Sequence, residues 1–164
     1  MSWGDEIMER FYINMLNYIH SKNALKKSIL FINKYLPYVM YAFYPLLMIY
    51  LFIIKHPLFL DTLLRPLIAF TTVTIIRKLI NRKRPYEYMN IKPLVGHKLG
   101  QSFPSRHTLS AMIIALVTLN IHLGLGIFMI VLASIIGLCR ILAGVHHISD
   151  VIAGALYALI VYLI

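Results

Sequence analysis

The segment Arg140-Ile-Leu-Ala-Gly-Val-His146-His147-Ile-Ser-Asp150 concentrates the residue types most able to do chemistry in this chain. His146 and Asp150 stand four apart. On a helix that spacing sets a carboxylate beside an imidazole, where it accepts one ring N–H, selects the tautomer and raises the basicity of the other nitrogen. A histidine so held can act as a nucleophile, a base or a metal ligand. His147, about 100° further round such a helix, is expected to be structural. A second segment, Ser102-Phe103-Pro104-Ser105-Arg106-His107, leads into an apolar run. Pro104 ends the loop and Ser105 reads as an N-cap, so backbone N–H groups and the helix dipole favour an anion there. His107, in the first turn, is placed to give a proton to a leaving oxygen.

The anion these groups suit is a phosphate. Its delocalised charge and several oxygens are matched better by forked guanidinium donors from separate segments than by one ammonium. Arg77, Arg84 and Arg140 are such donors, whereas Lys78, Arg82 and Lys83 read as a solvated or headgroup-facing run. The single cysteine, Cys139, excludes a zinc site built from thiolates. Arginines around the histidines would repel a cation, so no metal or cofactor is expected.

These residues need elements that carry them to one place. Sixty per cent of the 164 residues are hydrophobic and only 13% are charged, too few to clothe a soluble exterior. The expected class is therefore an all-α, polytopic membrane helical bundle. The formal charge of +10 fits anionic headgroups or a phosphorylated substrate, and the hydropathy sets nucleic acid aside. The N-terminus, with Asp5, Glu6 and Glu9, lacks the pattern of a cleaved signal peptide. Residues 1–35 read as an amphipathic interfacial region, with Met8, Phe11, Met15, Tyr18 and Ile19 at helical spacing. Residues 36–164 read as the bundle, the whole chain forming one domain.

Spans are expected over Leu36–Ile54, Leu58–Ile76, Ser105–Ile121, Leu125–Leu142 and Ile148–Ile164, with a sixth if part of Ala24–Tyr35 inserts. Asp61 and Arg65, one turn apart in the second span, are expected to pair. Alternate crossings bring Arg77–Pro85, Pro104–His107 and Arg140–Asp150 to one membrane face. Ionisable groups are costly in a bilayer, so their convergence marks a functional site.

Together these residues resemble the type 2 phosphatidic acid phosphatase superfamily, whose motifs are Lys, six residues, Arg-Pro; Pro-Ser-Gly-His; and Ser-Arg, five residues, His, three residues, Asp. Arg140, His146 and Asp150 keep every spacing of the third motif, with Cys139 in place of its serine. Pro104-Ser105-Arg106-His107 is similar to the second, with Arg106 for glycine. Arg77, six residues, Arg84-Pro85 is similar to the first, with Lys78 one position out of register.

The resemblance implies a lipid-phosphate phosphatase. His146, oriented by Asp150, would attack phosphorus and form a phosphohistidine, and His107 would protonate the leaving oxygen. Arg77, Arg84, Arg140 and Ser105, with Lys78 and Arg106 as further candidates, would hold the phosphate. The compact chain looks like small bacterial undecaprenyl-pyrophosphate phosphatases. Undecaprenyl diphosphate is the first expected substrate, ahead of phosphatidylglycerol phosphate and phosphatidic acid. A lipid phosphotransferase would use the same site, and a degenerate membrane scaffold is the reading from a different class. The positive-inside rule would put the basic face in the cytoplasm, but many of those charges belong to the site. The resemblance implies the outer face of a bacterial cytoplasmic membrane.

Overall fold

The computed structural model describes residues 3–96 and 98–164. Among them there is no strand, and six α-helices follow in order: α1 (Trp3–Ser21), α2 (Asn23–Ile53), α3 (Phe59–Ile80), α4 (Arg106–Leu119), α5 (Leu123–Leu142) and α6 (Ile148–Leu163). A single 3₁₀ turn, Pro85–Glu87, interrupts the long polar connection between α3 and α4. Among the described residues, three stretches are long and apolar enough to cross a membrane: Asn23–Ile53, Phe59–Glu87 and Leu123–Leu142. The two remaining apolar helices, α4 and α6, are shorter. The uncharged run expected from Leu36 is the second part of a continuous α2, so residues 24–35 make no helix of their own. Lys26, Lys27 and Lys34 are all good helix formers, and nothing in that stretch breaks the backbone.

α4 is the centre of the bundle, and its sequence explains why. Ala111, Ile114 and Ala115 pack on Met40 of α2 and Met129, Ala133 and Ile136 of α5. Leu109, Ile113 and Leu116 pack on Ala69 and Val73 of α3 and Ala158 and Val161 of α6. Two apolar stripes at helical spacing on opposite sides make a helix that is buried all round. Its outer neighbours turn Leu46, Phe52, Leu60, Leu67, Phe128 and Leu156 outward, a continuous apolar exterior suited to lipid.

The expected Asp61–Arg65 pair is present at 2.9 Å. Arg65 also donates to the Tyr162 carbonyl, which ties the start of α3 to the end of α6. α1 lies against the loops at the opposite end. Tyr12, Leu16 and Ile19 are buried, while Ile7, Phe11 and Tyr18 remain exposed. One apolar face of the amphipathic helix is therefore spent on protein packing. The Tyr12 hydroxyl donates to the His146 carbonyl at 2.9 Å, and the Asn90 N–H donates to Glu9 at 3.0 Å.

Candidate active site

All three motif segments meet at one end of the bundle, at the C-termini of α3 and α5 and the N-termini of α4 and α6. α5 ends at Leu142, and Gly144, at φ +72°, turns the chain back so that Val145, His146 and His147 cross beneath the long loop. α6 then passes very close to the start of α4. A Cβ on Gly154 would sit 2.7 Å from the Ser105 carbonyl oxygen. That approach lets the Ser105 N–H donate to the Asp150 carbonyl at 2.8 Å and brings the Asp150 carboxylate to Ser102.

His146 is 1% exposed. Its Nδ1 faces Asp150 Oδ2 and Ser102 Oγ, each at 3.4 Å, and its Nε2 lies 3.4 Å from Arg84 Nη1. A proton on Nδ1 directed at the carboxylate leaves the Nε2 lone pair on the guanidinium side. Burial holds this imidazole well below the ordinary histidine value, at about 4; the hydrogen bond to Asp150 opposes that shift and the Arg84 charge reinforces it. The ring is therefore neutral at neutral pH and keeps its lone pair.

Asp150 is fully buried and heavily bonded. Ser102 Oγ donates to Oδ2, as does the His147 backbone N–H at 2.9 Å, and His147 Nδ1 lies 3.0 Å from it. Arg82 Nη1 donates to Oδ1 at 2.8 Å and to Ser149 Oγ at 2.8 Å. Two sequence expectations change here. Arg82 does not simply face headgroups but neutralises the buried carboxylate, because the chain leaves α3 through Asn81 in the left-handed conformation and turns back over α6. His147 is not a bystander on a helix: it is the N-cap of α6, in extended backbone, and it shares Asp150 with His146.

Arg84 is anchored through Nε to the Gly100 carbonyl at 3.1 Å and through Nη1 to the Val145 carbonyl at 2.9 Å. Glu87 steadies this loop by accepting from the N–H groups of Arg84 and Gly100. Arg77 is buried, and its Nη1 donates to the Pro104 carbonyl at 2.5 Å and the Ser102 carbonyl at 3.5 Å, gripping the backbone just before α4. Ser105 is the N-cap residue of α4, and its Oγ accepts from Thr108 Oγ1 instead of a backbone N–H. His107 is half-buried in the first turn at the same end. Arg140 is buried near Arg84, and its Nε has no hydrogen-bond partner among the described residues.

Lys78 and Arg106 are the exposed members of the candidate set. Lys78 is exposed beside the buried Arg77. Arg106 is exposed, with its guanidinium over the Phe70 ring at 5.5 Å. Sequence spacing gives Tyr88 no role and Arg82 only a solvated one, and it leaves Ser102, two positions before Pro104 of the second motif, without a function.

Fold and sequence comparisons relate the chain to known proteins. LpxE of Aquifex aeolicus superimposes with a TM-score of 0.75 at 26% identity, covering 94% of this chain and 91% of that one. The transmembrane PAP2 type phosphatidylglycerolphosphate phosphatase of Bacillus subtilis shares the fold, with a TM-score of 0.53 at 23% identity over 99% and 94% of the two chains. The bacitracin transport permease protein BcrC of Bacillus licheniformis is 35% identical over 94 residues, 54% of this chain. The match spans only 46%, about half, of that relative's own length. Residues 56–164 match the PAP2 superfamily, a stretch that is well over half of the chain and carries Arg77, His107, His146 and Asp150, and the chain belongs to that family.

Proposed function

We propose that this chain is a lipid-phosphate phosphatase working through a phosphohistidine on His146. The observation that carries the reading is a buried, neutral imidazole with Nδ1 turned to Asp150 and Nε2 to the Arg84 guanidinium. The Nε2 lone pair forms a bond to phosphorus as the bond to the lipid oxygen breaks, and His107 gives that oxygen its proton. Asp150 stabilises the positive charge that develops on the ring. Water, losing a proton to the now neutral His107, attacks phosphorus and releases orthophosphate from His146. Arg84 and Arg140, with the N–H groups at the start of α4, stabilise the equatorial oxygens. Arg77 acts by holding the backbone that presents those groups.

Undecaprenyl diphosphate is the favoured substrate, on the resemblance of this small chain to bacterial undecaprenyl-pyrophosphate phosphatases. Phosphatidylglycerol phosphate and phosphatidic acid follow. An apolar groove of about 290 Å³ between α2 and α3, lined by Tyr41, Tyr44, Leu63, Leu67 and Phe70, suits a lipid tail. Arg106, stacked on Phe70, stands at its polar end. In this reading α2 to α6 make five crossings, with the catalytic face outward. The shorter α4, about 21 Å long, is shielded from lipid by its neighbours, whereas α6, about 24 Å long, turns Ile152, Leu156 and Ile160 outward.

The test is phosphate release from the three lipids by detergent-purified protein with chelator present. His146→Ala abolishes release, His107→Ala slows it severely, and Asp150→Asn costs less than either because the imidazole remains. Wild-type activity in His146→Ala would sink the mechanism. Orientation is checked separately by labelling Lys98→Cys in intact cells with an impermeant maleimide, since the native Cys139 is buried.

A further inference from the structure

Arg106 stands where the second motif carries glycine, at the first position of α4, directly between the N-cap Ser105 and His107. Nothing in the helix favours a cation there, because the helix dipole opposes positive charge at an N-terminus. The Arg106 charge bears on the buried Arg77 and Arg84 and on Tyr41 of the groove wall. No carboxylate pairs with it among the described residues. Its neighbour is Phe70, whose ring centre lies 5.5 Å from the guanidinium carbon and which lines the apolar groove. A cation over a ring face is held through its charge, so the N–H donors of this exposed guanidinium stay available to an anion. Arg106 therefore joins the arginine cluster beside His146 to the polar end of the groove.

We infer that Arg106 is a specificity residue that binds the second, lipid-borne phosphate of a diphosphate substrate. The inference rests on the phosphatase reading and chooses among its substrates. With the terminal phosphate beside His146 and Arg84 and the tail in the groove, the phosphate attached to the tail must lie between them, which is where Arg106 stands. His146 Nε2 bonds to the terminal phosphorus as the bridging P–O bond breaks, and the lipid leaves as a monophosphate with the His107 proton on the oxygen it takes. Arg106 neutralises the charge of that leaving group with forked donors. A lipid monophosphate puts no anion at this position. Charge balance points the same way. Arg82 is matched by Asp150, but Arg77, Arg84, Arg106 and Arg140 form no ion pair among the described residues, and a second phosphate supplies the missing negative charge.

The test compares detergent-purified wild type, Arg106→Gln and Arg106→Lys in undecaprenyl diphosphate hydrolysis, with each of the two products, undecaprenyl phosphate and orthophosphate, as inhibitor. The side chain is exposed, so both variants are expected to fold. Undecaprenyl phosphate carries only the phosphate next to the tail, and orthophosphate derives from the terminal one, so the products report on the two positions separately. Arg106→Gln is expected to lower kcat/KM about tenfold and to raise the inhibition constant of undecaprenyl phosphate about tenfold, the loss of roughly one charge-assisted hydrogen bond, with that of orthophosphate moved less than about twofold. Arg106→Lys keeps the charge without the fork and falls between the two. An orthophosphate constant raised as much as the lipid one, or a lipid constant moved less than about twofold, overturns the inference. Should wild type cleave lipid monophosphates and leave the diphosphate intact, the inference fails while the phosphatase reading stands. If wild type cleaves no lipid phosphate, that reading has failed. Calorimetric titration of the same proteins with the two products then still decides: weaker binding of undecaprenyl phosphate alone in Arg106→Gln supports the contact, and any other outcome removes it.

Discussion

Asp150 Oδ2 lies 3.0 Å from Nδ1 of His147, nearer than the 3.4 Å that separates it from Nδ1 of His146. The carboxylate is therefore shared, and His147 extends the network outward, with its Nε2 2.9 Å from the Tyr88 hydroxyl and its ring stacked on that tyrosine. His147 donating from Nδ1 leaves Nε2 to accept from Tyr88. His147→Phe keeps a ring against Tyr88 and removes the donor. It is expected to lower kcat by about tenfold or more, as loss of a group that orients a reacting residue does. Steady-state kinetics checks this: a kcat equal to wild type would leave His147 only a packing role.

Arg82 and Lys83 are adjacent in sequence and opposite in consequence. Arg82 pairs with a carboxylate that is 0% exposed, while Lys83 faces outward. Arg82→Gln leaves a buried charge short of its partner, at a cost of about 1–2 kcal/mol, reduced because the guanidinium itself is partly exposed. Melting in detergent should show the loss for Arg82→Gln and none for Lys83→Gln. Equal melting temperatures would mean that Ser102 and His147 suffice to hold Asp150.

Gly154→Ala adds a single methyl group 2.7 Å from the Ser105 carbonyl oxygen. The neighbour is backbone, so α6 must move away from α4, and Asp150 moves with it. A misplacement of this kind costs on the order of a hundredfold in rate. The expected result is a large fall in kcat with the helical signal in circular dichroism retained. Undiminished turnover would show that the two helices tolerate the separation.

The depressed value of His146 links stability to pH. An unfolded chain protonates this residue near 6.5, and the fold resists protonation until about 4. Between those values the unfolded state binds more protons, so the fold loses stability as pH falls through the window and keeps it above 6.5. The loss approaches about 3 kcal/mol at the acid end. Wild type should therefore lose more melting temperature than His146→Gln between pH 7 and pH 5. Parallel curves would place His146 at its ordinary value.

Local pattern made much of this protein readable in advance. Apolar runs located the helices from α2 to α6, because burial against lipid and neighbours writes itself into every residue of a span. The spacing of Arg140, His146 and Asp150, and of Pro104, Ser105 and His107, picked out the candidate reacting groups, because those distances along the chain are short enough for helix ends to fix. The amphipathic period of α1 was equally plain, but not which apolar face packs inward. Tyr12 and Leu16 are buried beside the loop that carries Gly144 and His146.

Contacts between distant segments belong to the tertiary structure alone. Arg82 reaches Asp150 across 68 positions, Ser102 reaches it across 48, and Asn33 reaches the Cys139 carbonyl across 106. Nothing local distinguishes Arg82 from Lys83 or Asn33 from its neighbours. The division between His146 and His147 was likewise decided by where α6 begins. A helix running through both would have set them on different faces, whereas an extended backbone ending at the N-cap lets both imidazoles reach one carboxylate. Residue types and short spacings therefore determined the chemistry available to this chain. The crossing of α6 over α4, permitted by the missing side chain at Gly154, decided which of those residues share a site.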